Sequence, residues 1–322
     1  MRGSYTIRIS NSRMLYEFTI RRNITVVCGD SATGKTELYN MIQSYRNSSG
    51  EDSGVSITCD VPCRILTSDD WENSLKTIEN SIVFIDEGNR FITSTDFARA
   101  IRGSSNYYVI ITREHLSNIP YSVEEIYGIR SSNKYAGLKK TYNEFFHLYG
   151  EIDYSSDISP DHIIVEDSNS GYEFFSAISD SENYIVSSAS GKANLLGKVQ
   201  KLGKEKMIIV IADGAAFGSE MAKMMRLVSN RKNIVLFLPE SFEWLILKSG
   251  IVDDAELSKI LESPEDYIDS ERFFSWEQYF TRLLVDTTTD TYLHYSKSKL
   301  NEVYLHPDNA KKIKNIIKKI KL

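Results

Sequence analysis

Gly29, Gly34, Lys35 and Thr36 stand in the order G-x-x-x-x-G-K-T within VVCGDSATGKTELYN, residues Val26 to Asn40. That spacing suits the gripping of phosphate. Glycines let backbone N–H groups turn inward around phosphate oxygens, and a helix opening directly after them adds its positive N-terminus. The loop and its exit comprise Gly29, Asp30, Ser31, Ala32, Thr33, Gly34, Lys35, Thr36 and Glu37. Lys35 can reach the β- and γ-phosphates of a nucleotide, and Thr36 can set its hydroxyl on Mg²⁺. An apolar stretch before the loop and a helical pattern after it supply the strand-to-helix context that the motif requires.

Fifty residues after Thr36 comes IVFIDE, which delivers Asp86 and Glu87 to the end of an apolar stretch. Asp86 suits a Mg²⁺ ion, reached through water. Glu87 suits polarisation of an attacking water, so the pair favours hydrolysis over simple binding. A third apolar stretch, YVIITRE, ends in Thr112 and Arg113. These two either sense the γ-phosphate and stabilise charge developing in transfer, or simply mark a strand meeting solvent.

A second set of acids lies further on. Glu166 follows HIIV, Asp213 follows MIIVIA, and Glu240 and Glu243 follow IVLFLP, with Gly214 and Gly218 easing the turn after Asp213. Strand ends of a parallel sheet converge on one edge, so Glu166, Asp213 and Glu243 can share a site suited to a hard divalent cation. The alternative is that these acids cap helices.

The positioning elements follow from the apolar pattern. YTIRIS and MLYEFTI read as two strands around the turn NSR, and NITVVCG reads as a strand buried on both faces. A helix is expected from Lys35 to Tyr45, strands at VSITCD and CRILTS, a helix at WENSLKTIE, and buried strands at SIVFIDE and NYYVIITRE. Alternating strand and helix implies a mainly parallel sheet. HLYGEIDYSSDISPDH, His147 to His162, breaks the alternation and marks a domain boundary. Four strand-helix units then follow, and from about Asp253 the pattern is helical and polar. The expected organisation is α/β, with a nucleotide-binding domain over 1–150, a second α/β domain over 160–250 and a helical extension over 251–322.

Composition bounds the class. The chain has 322 residues, of which 41% are hydrophobic and 25% charged, as in globular proteins. No apolar run approaches the roughly 20 residues that span a bilayer, and MRGSYTIRIS lacks a signal-peptide core. A cytosolic protein without membrane association is the expectation. Cys28, Cys59 and Cys63 fit reduced structural thiols, because the pair in CDVPC has no second Cys/His pair nearby to complete a metal site. A net charge of −6 gives no global attraction to nucleic acid. The last twelve residues nevertheless hold six lysines, with Ile313, Ile317 and Ile320 on one helical face. That helix either docks its isoleucines on the body or contacts nucleic acid or another acidic surface.

On GDSATGKT, IVFIDE and IITRE, residues 1 to about 145 resemble the P-loop ATPases of the additional-strand class, which includes AAA and ABC-type proteins. The chain carries no LSGGQ-like signature for ABC-style dimerisation. It also carries no N/T-K-x-D guanine-reading motif, so ATP with Mg²⁺ is the implied ligand. On Glu166, ADGAAFG and PESFEWLIL, residues of about 160–250 resemble a Toprim domain of the kind found in OLD-family nucleases. Ala215 stands where the second aspartate of that family's D-x-D belongs. The resemblance therefore leaves open a one-metal nuclease, a non-catalytic module, or a related α/β fold.

The combination resembles ATPases of mobile elements and phage defence. It implies an ATPase that couples nucleotide state to a module acting on nucleic acid. The rival is an ATP-regulated oligomerising scaffold that binds a partner protein without catalysis. A small-molecule kinase fits less well, because Glu87 suits water activation and no second substrate motif is visible.

Overall fold

Continuous apolar runs become strands covered on both faces. In a computed structural model, which describes all residues except 30–33, 49–52, 68–69, 133–139, 151–156 and 180–183, the chain gathers into two units. One comprises Met1–Gly150 with Ser263–Ser275, and the other Glu151–Glu262 with Trp276–Leu322. Both are α/β.

In chain order the first unit contains β1 (Tyr5–Ser10), β2 (Met14–Ile20), β3 (Ile24–Val27), α1 (Lys35–Asn47), β4 (Ser56–Thr58) and β5 (Cys63–Ile65). It continues with α2 (Trp71–Lys76), β6 (Ile82–Ile85), α3 (Thr95–Ile101), β7 (Tyr107–Ile111), β8 (Ile126–Ser132) and β9 (Thr141–His147). Every residue of β3, β6 and β7 is buried. The nine strands form one sheet in the order β4-β1-β2-β9-β8-β3-β7-β6-β5. From β8 through β3, β7 and β6 to β5 the pairings are all parallel, whereas β1 pairs antiparallel with both β2 and β4, and β8 with β9. The sheet is therefore mixed. Strands β8 and β9 and helix α3 lie outside the elements read from sequence, because IYGIRSS and TYNEFFH interleave polar residues with apolar ones and TDFARAI is short.

This sheet is curled. Nine flat strands would hold their edges roughly 38 Å apart at about 4.8 Å per spacing. Yet the two edge strands, β4 and β5, are joined by Cys59–Pro62 alone, a stretch that reaches about 18 Å when extended. Helix α1 packs against β1, β4 and β5 inside the curl. Its buried face, Leu38, Tyr39, Met41 and Ile42, joins a core with Ile7, Phe18, Val27, Phe84 and Val109. Each such side chain contributes about 1.5–3 kcal/mol on full burial. Ser94 caps α3 by accepting from the Phe97 N–H at 3.1 Å.

Residues 251–322, read from sequence as one helical extension, are shared between the units. Ser263–Ser275 belongs with the first because the Gly3 N–H donates to the Glu265 carbonyl at 2.7 Å and the Ser270 N–H to the Met1 carbonyl at 3.0 Å. Asn23 Nδ2 likewise donates to the Phe274 carbonyl at 2.7 Å.

The second unit contains β10 (His162–Val165), α4 (Ser170–Ser179), β11 (Ile185–Ser188), α5 (Lys192–Gln200), β12 (Ile208–Ile211), α6 (Gly218–Asn230), β13 (Ile234–Phe237) and α7 (Phe242–Lys248). Helices α8 (Leu257–Glu262), α9 (Trp276–Thr288) and α10 (Pro307–Lys314) follow. Its four strands are all parallel, in the order β11-β10-β12-β13. The order reverses at β10, so the crevice between the ends of β10 and β12 is a topological switch point. The C-terminal helix ends at Lys314, earlier than its lysine-isoleucine pattern suggests. Beyond it the chain turns, Lys319 takes a left-handed φ of 64°, and Ile320 bridges Ile158. Ile313 and Ile317 are buried, as the docked reading of this segment requires.

Candidate functional site

The first cluster sits at the C-terminal ends of β3, β6 and β7. Gly34 opens α1 with φ of 89°, and Gly29 has φ of 130°, conformations in which a Cβ is strained. Space enforces the first choice as well: a Cβ on Gly34 would stand 2.9 Å from the Tyr16 hydroxyl. That hydroxyl donates to the Gly34 carbonyl at 2.9 Å, so β2 braces the start of α1. Burial pushes the Tyr16 phenol up to about 12 and keeps it a donor.

Lys35 is buried, and its Nζ donates to the Gly29 carbonyl at 2.6 Å, closing the two ends of the loop on each other. Asp30, Ser31, Ala32 and Thr33 lie outside the described residues. Thr36 is exposed on the first turn of α1, and Glu37 beside it is half-buried. Asp86 directly follows β6 and is half-buried. Burial raises its pKa, and the positive charge of Lys35 opposes that rise. Asn89 holds the turn by donating its backbone N–H and its Nδ2 to the Asp86 carbonyl, at 3.1 and 2.9 Å.

Glu87 is exposed and forms an ion pair with Arg113, Nε to Oε2 3.1 Å. Two residues that sequence reasoning put in separate roles are thus in direct contact. Thr112 is fully buried, and its Oγ1 accepts from the Glu114 N–H at 2.9 Å. Its own N–H donates to the Val27 carbonyl at 3.1 Å, which ties the end of β7 to the end of β3.

The second cluster sits at the switch point of the smaller sheet. Glu166 and Asp213 meet there, with the Asp213 N–H donating to Glu166 Oε2 at 3.2 Å. Gly214 is required because its N–H donates to the Pro239 carbonyl at 2.6 Å, and a Cβ would stand 2.5 Å from the Leu238 carbonyl oxygen. Glu243, in the first turn of α7 after the capping residue Ser241, is 1% exposed. Its Oε1 accepts from the Tyr295 hydroxyl at 2.9 Å and lies 3.8 Å from Lys297 Nζ. Lys297 also donates to Glu277 Oε1 at 2.6 Å. Burial works against the charge on Lys297, but Glu243, Glu277 and Asp213 outweigh it and raise its pKa. Burial, then Glu277, Glu243 and Glu166, raise that of Asp213 far above the usual carboxylate range.

This arrangement carries its own cation. Three expected ligands, Glu166, Asp213 and Glu243, come to one edge, and Lys297 supplies the positive charge among them. Among the described residues, no three His, Cys, Asp or Glu side chains are gathered as a metal-ion site. The adjoining cavity, lined by Glu166, Asp167, Asp213 and Phe242, measures about 20 Å³, room for about one water. Asp167 serves α4, accepting from the Tyr172 N–H at 2.9 Å. Lys297, Tyr295 and Glu277 escaped sequence reasoning. YSKSKL and SWEQYF have no spacing that points to β10, and only tertiary folding brings them there. Glu240 contributes its carbonyl, which accepts from the Ala215 N–H at 3.3 Å.

The chain matches no protein-family model and no curated protein. Among the described residues no helix is long and apolar enough to cross a membrane.

Proposed function

We propose that the chain is an ATP-binding and ATP-hydrolysing protein of the additional-strand P-loop class, and that its nucleotide state is coupled to a Toprim-like second unit acting on nucleic acid. One observation carries the ATPase reading: Lys35 opens α1 directly after Gly34 with its Nζ on the Gly29 carbonyl, and Asp86 directly follows β6 in the same sheet. The strand order supports it, because β7 lies between β3 and β6 and its end sets Arg113 against Glu87. Thr36 and Asp86 present the oxygen donors that would hold Mg²⁺, which would neutralise phosphate charge. Lys35 would bind the β- and γ-phosphates, and Glu87 would accept a proton from the attacking water once Arg113 turns to the nucleotide.

A second reading is favoured by the tethered ammonium of Lys297 among the second unit's acids. On that reading the second unit is a non-catalytic scaffold for a partner protein or for another copy of the chain, with ATP regulating assembly.

Glu87→Gln tests the ATPase. The amide cannot accept a proton, so turnover should fall by about a hundredfold or more while ATP affinity is kept. Joint loss of binding and turnover would give Glu87 a structural role and remove the water-activating assignment. Cleavage assays on single- and double-stranded DNA and RNA with Mg²⁺ and ATP separate the two readings of the second unit: cleavage rejects the scaffold.

A further inference from the structure

The lysine-rich segment of the second unit is pinned down along its apolar side. Helix α10 packs against α7 and against the turn Glu302–Leu305, with Ala310 and Ile313 buried. Beyond the helix Ile317 is buried, and two backbone hydrogen bonds hold the chain to Ile158. The Ile158 N–H donates to the Lys319 carbonyl at 2.8 Å, and the Lys321 N–H to the Ile158 carbonyl at 2.9 Å. With the isoleucines taken inward, Lys311, Lys312, Lys318, Lys319 and Lys321 are exposed and Lys314 is half-buried. Two acids stand near: Asp308, exposed in the first turn of α10, and Asp157, 3.9 Å from Lys321. A cavity of about 520 Å³ opens beside these lysines, between α4 and α10. Ala177, Ile178, Leu305 and Ala310 give it an aliphatic wall, and Lys311 and Lys314 line its side. The cavity stands apart from the acid cluster. Ser170, which opens α4, bonds the Tyr295 hydroxyl at 2.6 Å, whereas Ala177 lies roughly 10 Å further along that helix.

We propose that this lysine array and its cavity are a docking surface for single-stranded nucleic acid, with backbone phosphates on the lysines and an unstacked base in the cavity. The whole chain carries a net charge of −6, yet its last twelve residues hold six lysines, no arginine and no acid. A lysine ammonium is a point charge. It suits a phosphate without the planar fork that arginine offers a carboxylate, and it grips a backbone without reading sequence. A lipid surface fits less well, because a basic amphipathic helix enters a bilayer by its apolar face. Here Ile313 and Ile317 have already buried that face in the protein. A duplex keeps its bases stacked and offers nothing to an apolar cavity, whereas a single strand can supply a base.

The partner class rests on the nucleic-acid reading given above. The surface goes beyond it, because the grip on the strand is separated from the carboxylates, which would repel phosphate. Pinning the segment in advance also lowers the ordering cost of binding. Each phosphate neutralised on a single strand releases counterions and contributes about −0.7 to the slope of log K against log salt, so the five exposed lysines give about −3.5.

The test measures fluorescence anisotropy of labelled oligothymidylate with the full chain over a range of salt, in EDTA so that no cleavage intervenes. The wild type should bind with the slope given above and prefer the single strand to a duplex of equal length. The double variant Lys311→Gln, Lys312→Gln changes two exposed side chains and should keep the melting temperature. It should lower the slope by about 1.4. Ala177→Trp, which fills the cavity, should weaken single-strand binding at least about fivefold and leave the slope unchanged. A double variant that binds as the wild type does would overturn the surface while the nucleic-acid reading stands. A wild type that binds no oligonucleotide would remove both. Equal binding of the duplex would overturn the base-in-cavity assignment. Displacement of the oligonucleotide by polyglutamate at equal charge, or tighter binding to vesicles of anionic phospholipid, would replace the proposed partner with an acidic protein or a membrane.

Discussion

Two acid clusters stand at two sheet edges in this chain, and they are balanced in opposite ways. In the first unit Asp86 and Glu87 stay half-buried and exposed; Glu87 pairs with Arg113, just after β7, and Lys35 opens α1 at the end of the phosphate loop. In the second, Glu243 is buried, and Tyr295 and Lys297 reach it from the segment after α9. Exposed charges cost little to leave loosely paired, because water screens them. Buried ones must be compensated from within. The comparison teaches that similar motif-level signals, an acid after an apolar strand, can mark either a site able to receive an ion or one already neutralised. Which it is depends on residues far away in sequence.

The largest expected effect removes the first cluster's cation. Lys35→Ala should lower ATP binding or turnover by about a hundredfold or more, read by calorimetry and by phosphate release. It should leave the carboxylates of the second unit untouched. Unchanged hydrolysis would remove the phosphate-loop assignment and with it one side of the contrast.

Next comes the second cluster's own cation. Lys297→Met leaves Glu243 and Glu277 without the ammonium. Breaking a buried pair costs about 3–5 kcal/mol, and the partial exposure of this lysine brings the expected loss to roughly 3 kcal/mol in denaturant unfolding. The comparison sharpens if Mn²⁺ then raises the melting temperature of this variant but not of the wild type. A variant as stable as the wild type would show that Lys297 does not neutralise the cluster.

The last effect is a pH dependence inside the first unit, away from its strand-end acids, and it is spread over more than two pH units. Glu125 is buried; Thr25 Oγ1 donates to it at 2.8 Å, and Arg22 lies 3.8 Å away. Burial, partly offset by Arg22 and Thr25, raises its pKa from 4.5 to about 7. The folded state thus holds a proton that the unfolded state releases. The stabilisation is full below about 4.5 and is lost as pH rises through about 7, a change of roughly 3 kcal/mol. Glu125→Gln should flatten that part of the stability profile in urea titrations at stepped pH. An unaltered profile would assign the dependence to another group, Asp213 first.

Much of the architecture was legible locally. Val26 to Thr36 carries its strand, glycines and helix start within eleven residues, and each of those preferences is short-range. Apolar runs marked β3, β6, β7, β10, β12 and β13, because a strand covered on both faces must be apolar throughout. Strands β8 and β9 were hidden because their faces are unequal: Tyr142 and Ile129 are buried while Arg130 and Thr141 are exposed. The apolar stretches therefore determined by themselves that the chain alternates strand and helix and which acids and glycines end up at strand termini. Only the tertiary structure decided that the sheet curls until its edge strands β4 and β5 come within reach of a four-residue link, that Ser263–Ser275 returns to the first unit, and that Lys297 stands among Glu243, Glu277 and Asp213. The physical reason is range. Backbone propensity and apolar periodicity act over a few residues, whereas the partner of a buried charge is chosen by whichever distant segment the packed core brings within hydrogen-bonding reach.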